Sequence, residues 1–116
     1  MYKIQVKNKK YNKISYSLQR EIQIALNKLV FLISEKENYG ESFEKIFNNP
    51  AIKYDIFPNN FYTFKHHCQD SAQLRLLYRF IRNEDNSIVI ELHDFYHKKS
   101  NDKKYIKYFE KKAKMN

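Results

Sequence analysis

Residues 74–95 decide the fold: Leu74-Arg75-Leu76-Leu77-Tyr78-Arg79-Phe80-Ile81-Arg82, then Asn83-Glu84-Asp85-Asn86-Ser87, then Ile88-Val89-Ile90-Glu91-Leu92-His93-Asp94-Phe95. Two apolar runs flank a short polar stretch, the pattern of an antiparallel hairpin. Side chains of a strand alternate between faces. Leu74, Leu76, Tyr78 and Phe80 therefore share one face, and Arg75, Leu77, Arg79 and Ile81 share the other. Just upstream, Phe61–His67 is a further strand rich in aromatics. Three sequential strands joined by short turns make an antiparallel meander.

Outward from this meander the pattern changes. Residues 2–6 alternate Tyr, Lys, Ile, Gln and Val, the period-2 mark of a first strand. Ser15 and Ser17 can cap a helix that starts near Leu18. Its apolar positions Leu18, Ile22, Ala25, Leu26, Leu29 and Ile33 recur at three and four residues, one face for packing on a sheet. Asn38-Tyr39-Gly40 ends it, with Gly40 placed as a cap. A second helix is expected over Glu41–Phe47, stopped by Asn48-Asn49-Pro50. A last helix is expected over about Asp102–Lys114, packing through Tyr105, Ile106, Phe109 and Ala113. The order β-α-α-β-β-β-α reads as α+β, a single domain over residues 1–116. It predicts a twisted, antiparallel-rich sheet with two N-terminal helices on one face. The C-terminal helix either flanks the sheet or swings free.

Charge narrows the function. Lys and Arg number 22 against 13 Asp and Glu, a net charge of +9. Residues 98–114 hold eight Lys against Asp102 and Glu110, and residues 3–13 hold five Lys with no acid. A field of that sign favours polyanions: nucleic acid, an anionic membrane or an acidic protein partner. The longest apolar run, Leu29 to Ile33, falls far short of the ~20 residues a membrane span needs. Cys68 is the single cysteine, so no internal disulfide forms. The N-terminus has no apolar signal-peptide core, and a cytoplasmic location with no membrane partner is expected.

The chemistry-bearing residues cluster late in the chain. Arg75 and Arg79 lie on one strand face about 13 Å apart by strand rise, placed to hold neighbouring phosphates; the plainer reading is a salt bridge to Glu91 across the hairpin. Leu92-His93-Asp94-Phe95-Tyr96-His97-Lys98-Lys99-Ser100 ends the next strand with imidazoles, a phenol and ammonium groups. RNA cleavage by the 2′-hydroxyl needs a proton acceptor, a proton donor and cations around the phosphorane, for which His, Lys and Arg are suited. Regular alternation puts His93, Phe95 and His97 on one face, with Tyr96 and Lys98 on the other. In the last helix Lys103, Lys104 and Tyr105 combine cations with a ring that can stack on an unpaired base. A metal site from His66-His67-Cys68 with His93 or His97 is the weaker reading: adjacent strand residues point apart, and no metal-binding spacing is present. Cys68 reads as a buried, inert thiol.

These features resemble the RelE/ParE superfamily of toxins from type II toxin–antitoxin systems, most of all the HigB/RelE-like branch. The resemblance rests on the Arg-bearing strand from Leu74 to Arg79, a hairpin, and a strand running into Leu92-His93-Asp94-Phe95 and Lys98-Lys99-Ser100. The Lys/Tyr-rich helix ending Glu110-Lys111-Lys112-Ala113-Lys114 completes it. The family commonly has a glycine before its second strand and another in the following turn. Here those stretches read Phe57-Pro58-Asn59-Asn60 and His66-His67-Cys68-Gln69-Asp70-Ser71. The resemblance implies an mRNA interferase, often acting on the ribosome, that needs no metal or other cofactor and is neutralised by a cognate antitoxin. It implies Arg75 as the strand arginine that steadies the phosphate, His93 as the strand-end histidine and Lys98 and Lys99 as the basic pair. Chemistry alone adds Arg79, His97 and Tyr96 to the catalytic candidates, and Lys103, Lys104 and Tyr105 to the RNA contacts. The alternatives are a ParE-like gyrase inhibitor and a non-catalytic basic nucleic-acid-binding domain.

Overall fold

The computed structural model of the protein describes residues 2–98 and 103–115. Its elements are β1 (Tyr2–Val6), α1 (Tyr16–Asn38), α2 (Phe43–Ile46), β2 (Ile56–Phe57), β3 (Phe61–His67), β4 (Gln73–Arg82), β5 (Ile88–Lys98) and α3 (Lys104–Lys114). They build a small α+β domain on one sheet of order β1-β5-β4-β3-β2. β1 runs parallel to β5 and every other pair is antiparallel. The parallel pair needs a long crossover, which the helices and the meander supply.

The long helix forms where the apolar spacing places it. Ser15 caps it by accepting from the Leu18 amide at 3.2 Å, and Ile22, Ala25, Leu26, Leu29 and Ile33 are all fully buried. Gly40 ends it at φ +79°, a left-handed geometry that costs glycine little. The second helix shrinks to one turn after its Ser42 cap. Sequence periodicity misses β2, whose two residues pair with Phe61 and Tyr62; a pair that short carries no periodic signal. β5 runs three residues past Phe95, to Lys98, because β4 offers it partners as far as Gln73.

Two apolar cores lie on opposite sides of the sheet. The larger joins α1 and α2 to Phe64, Leu74, Leu76, Tyr78, Ile90 and Leu92. Tyr78 is buried there and its hydroxyl donates to the Ile52 carbonyl. The smaller core holds Phe57, Phe61 and Leu77 beneath Tyr105, Phe109 and Ala113 of α3. The last helix therefore flanks the sheet on the face away from α1. Asn59 Nδ2 fastens its far end by donating to the Ala113 carbonyl at 2.8 Å. The backbone is left-handed without glycine at Asn59 and Asn60 (φ 61° and 62°), before β3, and at Ser71 (φ 67°), in the turn to β4. Asparagine tolerates that region better than most residues; nothing in the structure explains the choice of serine at 71.

Candidate functional site

The site begins with a defect in β5. Leu77 pairs with Asp94 and the next residue, Tyr78, pairs with Leu92, so His93 is an extra residue without a register partner. Such a bulge breaks the alternation of side chains. His93 meets Phe61 of the α3-side core, while Asp94 and Tyr96 also meet residues of α3. His97 instead lines a cavity with Leu18 and Glu21 of α1. The expectation that His93, Phe95 and His97 share a face is thus corrected: the bulge leaves His93 on one side and turns Phe95 and His97 to the other.

On the α3 side, Glu91 Oε1 accepts from Arg79 Nε at 2.8 Å and from His93 Nε2 at 3.0 Å. Burial raises the Glu91 pKa, but the hydrogen bonds and positive charge of Arg79 and His93 outweigh it, and the carboxyl lies below its usual range. Phe61 floors the group, with the His93 ring edge-on at 4.7 Å and the Arg79 guanidinium at 5.1 Å from its centroid. Arg79 keeps 28% of its side chain exposed, while His93 is nearly enclosed. Solvent therefore reaches the network through the guanidinium.

Arg75 has a different environment. It is buried, donates to Gln73 Oε1 at 3.2 Å, and lies between the rings of Tyr54 and Tyr105 at 5.5 and 5.2 Å. Leu77, between the two arginines on this face, is covered by the α3 core, so Arg75 and Arg79 do not open onto one shared surface. Tyr105 is also buried, donating to Asp55 Oδ2 at 2.8 Å. It packs the helix down rather than standing ready to stack on a base. Tyr96 is half-buried beside Tyr105, Tyr108 and Phe109. Lys98, Lys103 and Lys104 are exposed; Lys99 lies outside the described residues.

Sequence reading passed over the other half of the site. Asn8, in the basic turn after β1, donates Nδ2 to the His93 carbonyl at 3.0 Å and to Asp94 Oδ1 at 3.3 Å. This ties Lys7, Lys9 and Lys10 to the bulge. With Lys112 of α3 they line a cavity of about 270 Å³. Asp94 beneath it accepts from the Tyr108 hydroxyl at 2.6 Å and lies 3.8 Å from Lys112 Nζ. The absence of acids from residues 3–13 was the available signal, but nothing local tells that this segment meets β5.

The opposite face carries a separate group of metal-capable side chains. Cys68 lies with Glu21 and His66 in one triad, and with Asp70 and His97 in another. His67, by contrast, is exposed and hydrogen-bonded to Gln73 at 2.8 Å. His93 is bound into the Glu91 network. Two members of the sequence-level metal set are thus placed elsewhere, while Glu21 and Asp70 were not foreseen.

Sheet and site together define a small basic α+β domain with a buried carboxylate–imidazole–guanidinium network beside a lysine-lined cavity. Among known proteins the chain matches no family model, no curated protein and no solved structure. No helix among the described residues is long and apolar enough to cross a membrane.

Proposed function

We propose that this chain is a toxin of the RelE/ParE type that cleaves messenger RNA, and that the Arg79–Glu91–His93 network is its reaction centre. The observation that carries the reading is the joining of this network, through Asn8, to the cavity lined by Lys7, Lys9, Lys10 and Lys112. The cavity supplies cations for flanking phosphates, and the network supplies groups that hold and move protons. The half-exposed Arg79 guanidinium meets the scissile phosphate and offsets charge on its non-bridging oxygens. The 2′-hydroxyl attacks phosphorus as its proton passes to the Glu91–His93 pair. The same pair returns a proton to the departing 5′-oxygen, leaving a 2′,3′-cyclic phosphate. No external oxidant, reductant or cofactor enters this balance.

The resemblance carried by Leu74–Lys114 extends the proposal to a cognate antitoxin. An acidic segment lying over Lys7, Lys9, Lys10 and Lys112 is the form such a partner takes. One observation favours a second reading, a non-catalytic basic binding domain. Arg75, the residue the resemblance makes phosphate-steadying, is enclosed by tyrosines here.

The test is induced expression of the wild-type chain and of an Arg79→Ala/His93→Ala variant, with RNA 5′ ends mapped in the same cells. New ends within translated messages, absent in the folded variant, are expected, and their reading frame reports whether the ribosome presents the substrate. Growth arrest without new ends sinks the ribonuclease and points to a target such as gyrase. RNA binding without cleavage leaves the binding-domain reading.

A further inference from the structure

At the end of the sheet where β3 turns into β4, on the α1 side, donors from four segments of the chain meet. Glu21 comes from α1, His66 from the end of β3, Cys68 and Asp70 from the turn, and His97 from the end of β5. Register explains part of this convergence. Leu74 of β4 pairs with His66 on one side and His97 on the other, so both histidines flank it on one face. The turn is closed by the Cys68 amide to the Ala72 carbonyl at 2.9 Å, and by the Ala72 amide to Asp70 Oδ1 at 3.0 Å. It folds the thiol back over the same face.

The donor atoms of Glu21, His66 and Cys68 lie within 4.8 Å of one another, as do those of Cys68, Asp70 and His97. Cys68 Sγ is the vertex common to both. Tetrahedral donors around Zn²⁺, at bond lengths of about 2.0–2.3 Å, stand roughly 3.5 Å apart. Closing either triad onto an ion therefore takes a contraction of roughly 1 Å, within the reach of side-chain rotation.

Two of the donors already face each other. His66 is 7% exposed and its Nε2 lies 3.1 Å from Glu21 Oε2, so an ion taken up between them and Cys68 replaces that contact with a bond to each. A cavity of about 290 Å³, lined by Glu21, Asp70 and His97, opens beside the group and gives an ion a way in.

We propose that this end of the sheet binds one divalent transition-metal ion of the Zn²⁺ class, ligated by Cys68, His66 and Glu21 and closed on the open side by His97. Sulfur, nitrogen and oxygen donors together select a borderline ion and disfavour Mg²⁺ and Ca²⁺, which take oxygen shells. The ion fastens α1, the β3–β4 turn and the end of β5 to one another. It lies across the sheet from Arg79, Glu91 and His93, so it acts as a structural clamp and takes no part in phosphate chemistry.

The test uses the full chain, stripped with a chelator and titrated with Co²⁺ alone and then with Zn²⁺. One equivalent of Co²⁺ is expected to bind and to give a thiolate-to-metal charge-transfer band in the near ultraviolet. One equivalent of Zn²⁺ should bleach the band and raise the melting temperature. Cys68 is the only thiol, so a wild-type spectrum without that band overturns the proposal even if the Cys68→Ser variant fails to fold. In folded protein, Cys68→Ser should abolish the band and weaken binding at least tenfold. His97→Ala, at a partly exposed strand end, should weaken Co²⁺ binding at least tenfold; unchanged affinity overturns the closure by His97. Binding lost through His67→Ala and insensitive to Cys68→Ser would place the ion on the exposed surface and overturn the site.

Discussion

His93 and His97 stand on one strand and lie on opposite faces of the sheet, because β5 bulges at His93 between the Leu92–Tyr78 and Asp94–Leu77 pairs. The hydrogen bond of His93 to Glu91 then makes these two a unit, while His97 belongs to a separate environment. In double-mutant cycles measured by urea unfolding, Glu91→Gln and His93→Ala should couple by about 0.5–3 kcal/mol. His93→Ala and His97→Ala should add within about 0.5 kcal/mol. Simple additivity of the first pair would mean that the Glu91–His93 bond does not form in solution.

Glu91 gives the domain an acid-sensitive element. Its carboxyl lies below the usual range in the folded state, so its contribution is present above the unfolded value of about 4.3 and is lost as pH falls through the lower folded value. At neutral pH, Glu91→Gln should cost about 1–3 kcal/mol, since Arg79 and His93 lose a charged acceptor. Unfolding midpoints between neutral and acidic pH should bring the two proteins together as pH falls. A constant gap would show that the carboxylate charge is not what holds the network.

Tyr108 makes the opposite prediction at alkaline pH. Burial, its hydrogen bond to Asp94 and the negative charge of that carboxylate push the phenol up to about 12. Its stabilising contribution is complete below the ordinary tyrosine value of about 10 and is lost as pH rises through the raised one. Ultraviolet titration of the wild type should show late phenolates, since Tyr2, Tyr78 and Tyr105 are raised as well; one of them is lost in Tyr108→Phe and moves down in Asp94→Asn. That phenolate left unchanged in Asp94→Asn would assign the shift to burial alone.

The docking of α3 depends on few side chains. Phe109 is fully buried against Phe57, Leu77 and Tyr105. Phe109→Ala should cost about 3–5 kcal/mol. Because α3 has its own small core, amide exchange should accelerate in α3 while α1 stays protected. Uniform acceleration across both helices would show that the two cores unfold as one.

The RNA binding proposed above should depend on the turn after β1 as well as on the C-terminal helix. Lys7, Lys9 and Lys10 line the cavity that Lys112 completes. Each phosphate contact removed lowers the salt slope of single-strand binding by about 0.7. Replacing the three lysines of the turn with glutamine should therefore flatten the slope of log K against log salt by up to about 2. An unchanged slope would overturn the assignment of phosphate contacts to this turn.

The meander and the long helix were legible in sequence because their signals are local. Leu74, Leu76, Tyr78 and Phe80 alternate, and Ile22, Ala25, Leu26 and Leu29 recur at helical spacing; all pack into the larger core where that spacing puts them, Phe80 half-buried and the rest buried. The arginine–glutamate bridge across the hairpin was legible for the same reason, since Arg79 and Glu91 are cross-strand partners. The candidate site was legible only in part. Its residue types stood out, but Arg75 and Tyr105 are packed against each other and His97 faces the wrong way to join His93.

What the sequence determined by itself was therefore the periodicity: which segments alternate, which coil, and that cations crowd both ends of the chain. The tertiary structure decided the rest. It set the single-residue bulge at His93, for alternation fixes faces only while register holds. It chose the face on which α3 lies, and it paired β1 with β5, bringing Lys7 and Asn8 to His93. It also gathered Glu21, Cys68 and His97 at one corner. None of these has a local signature, because each arises from segments far apart in the chain that meet only when the sheet closes.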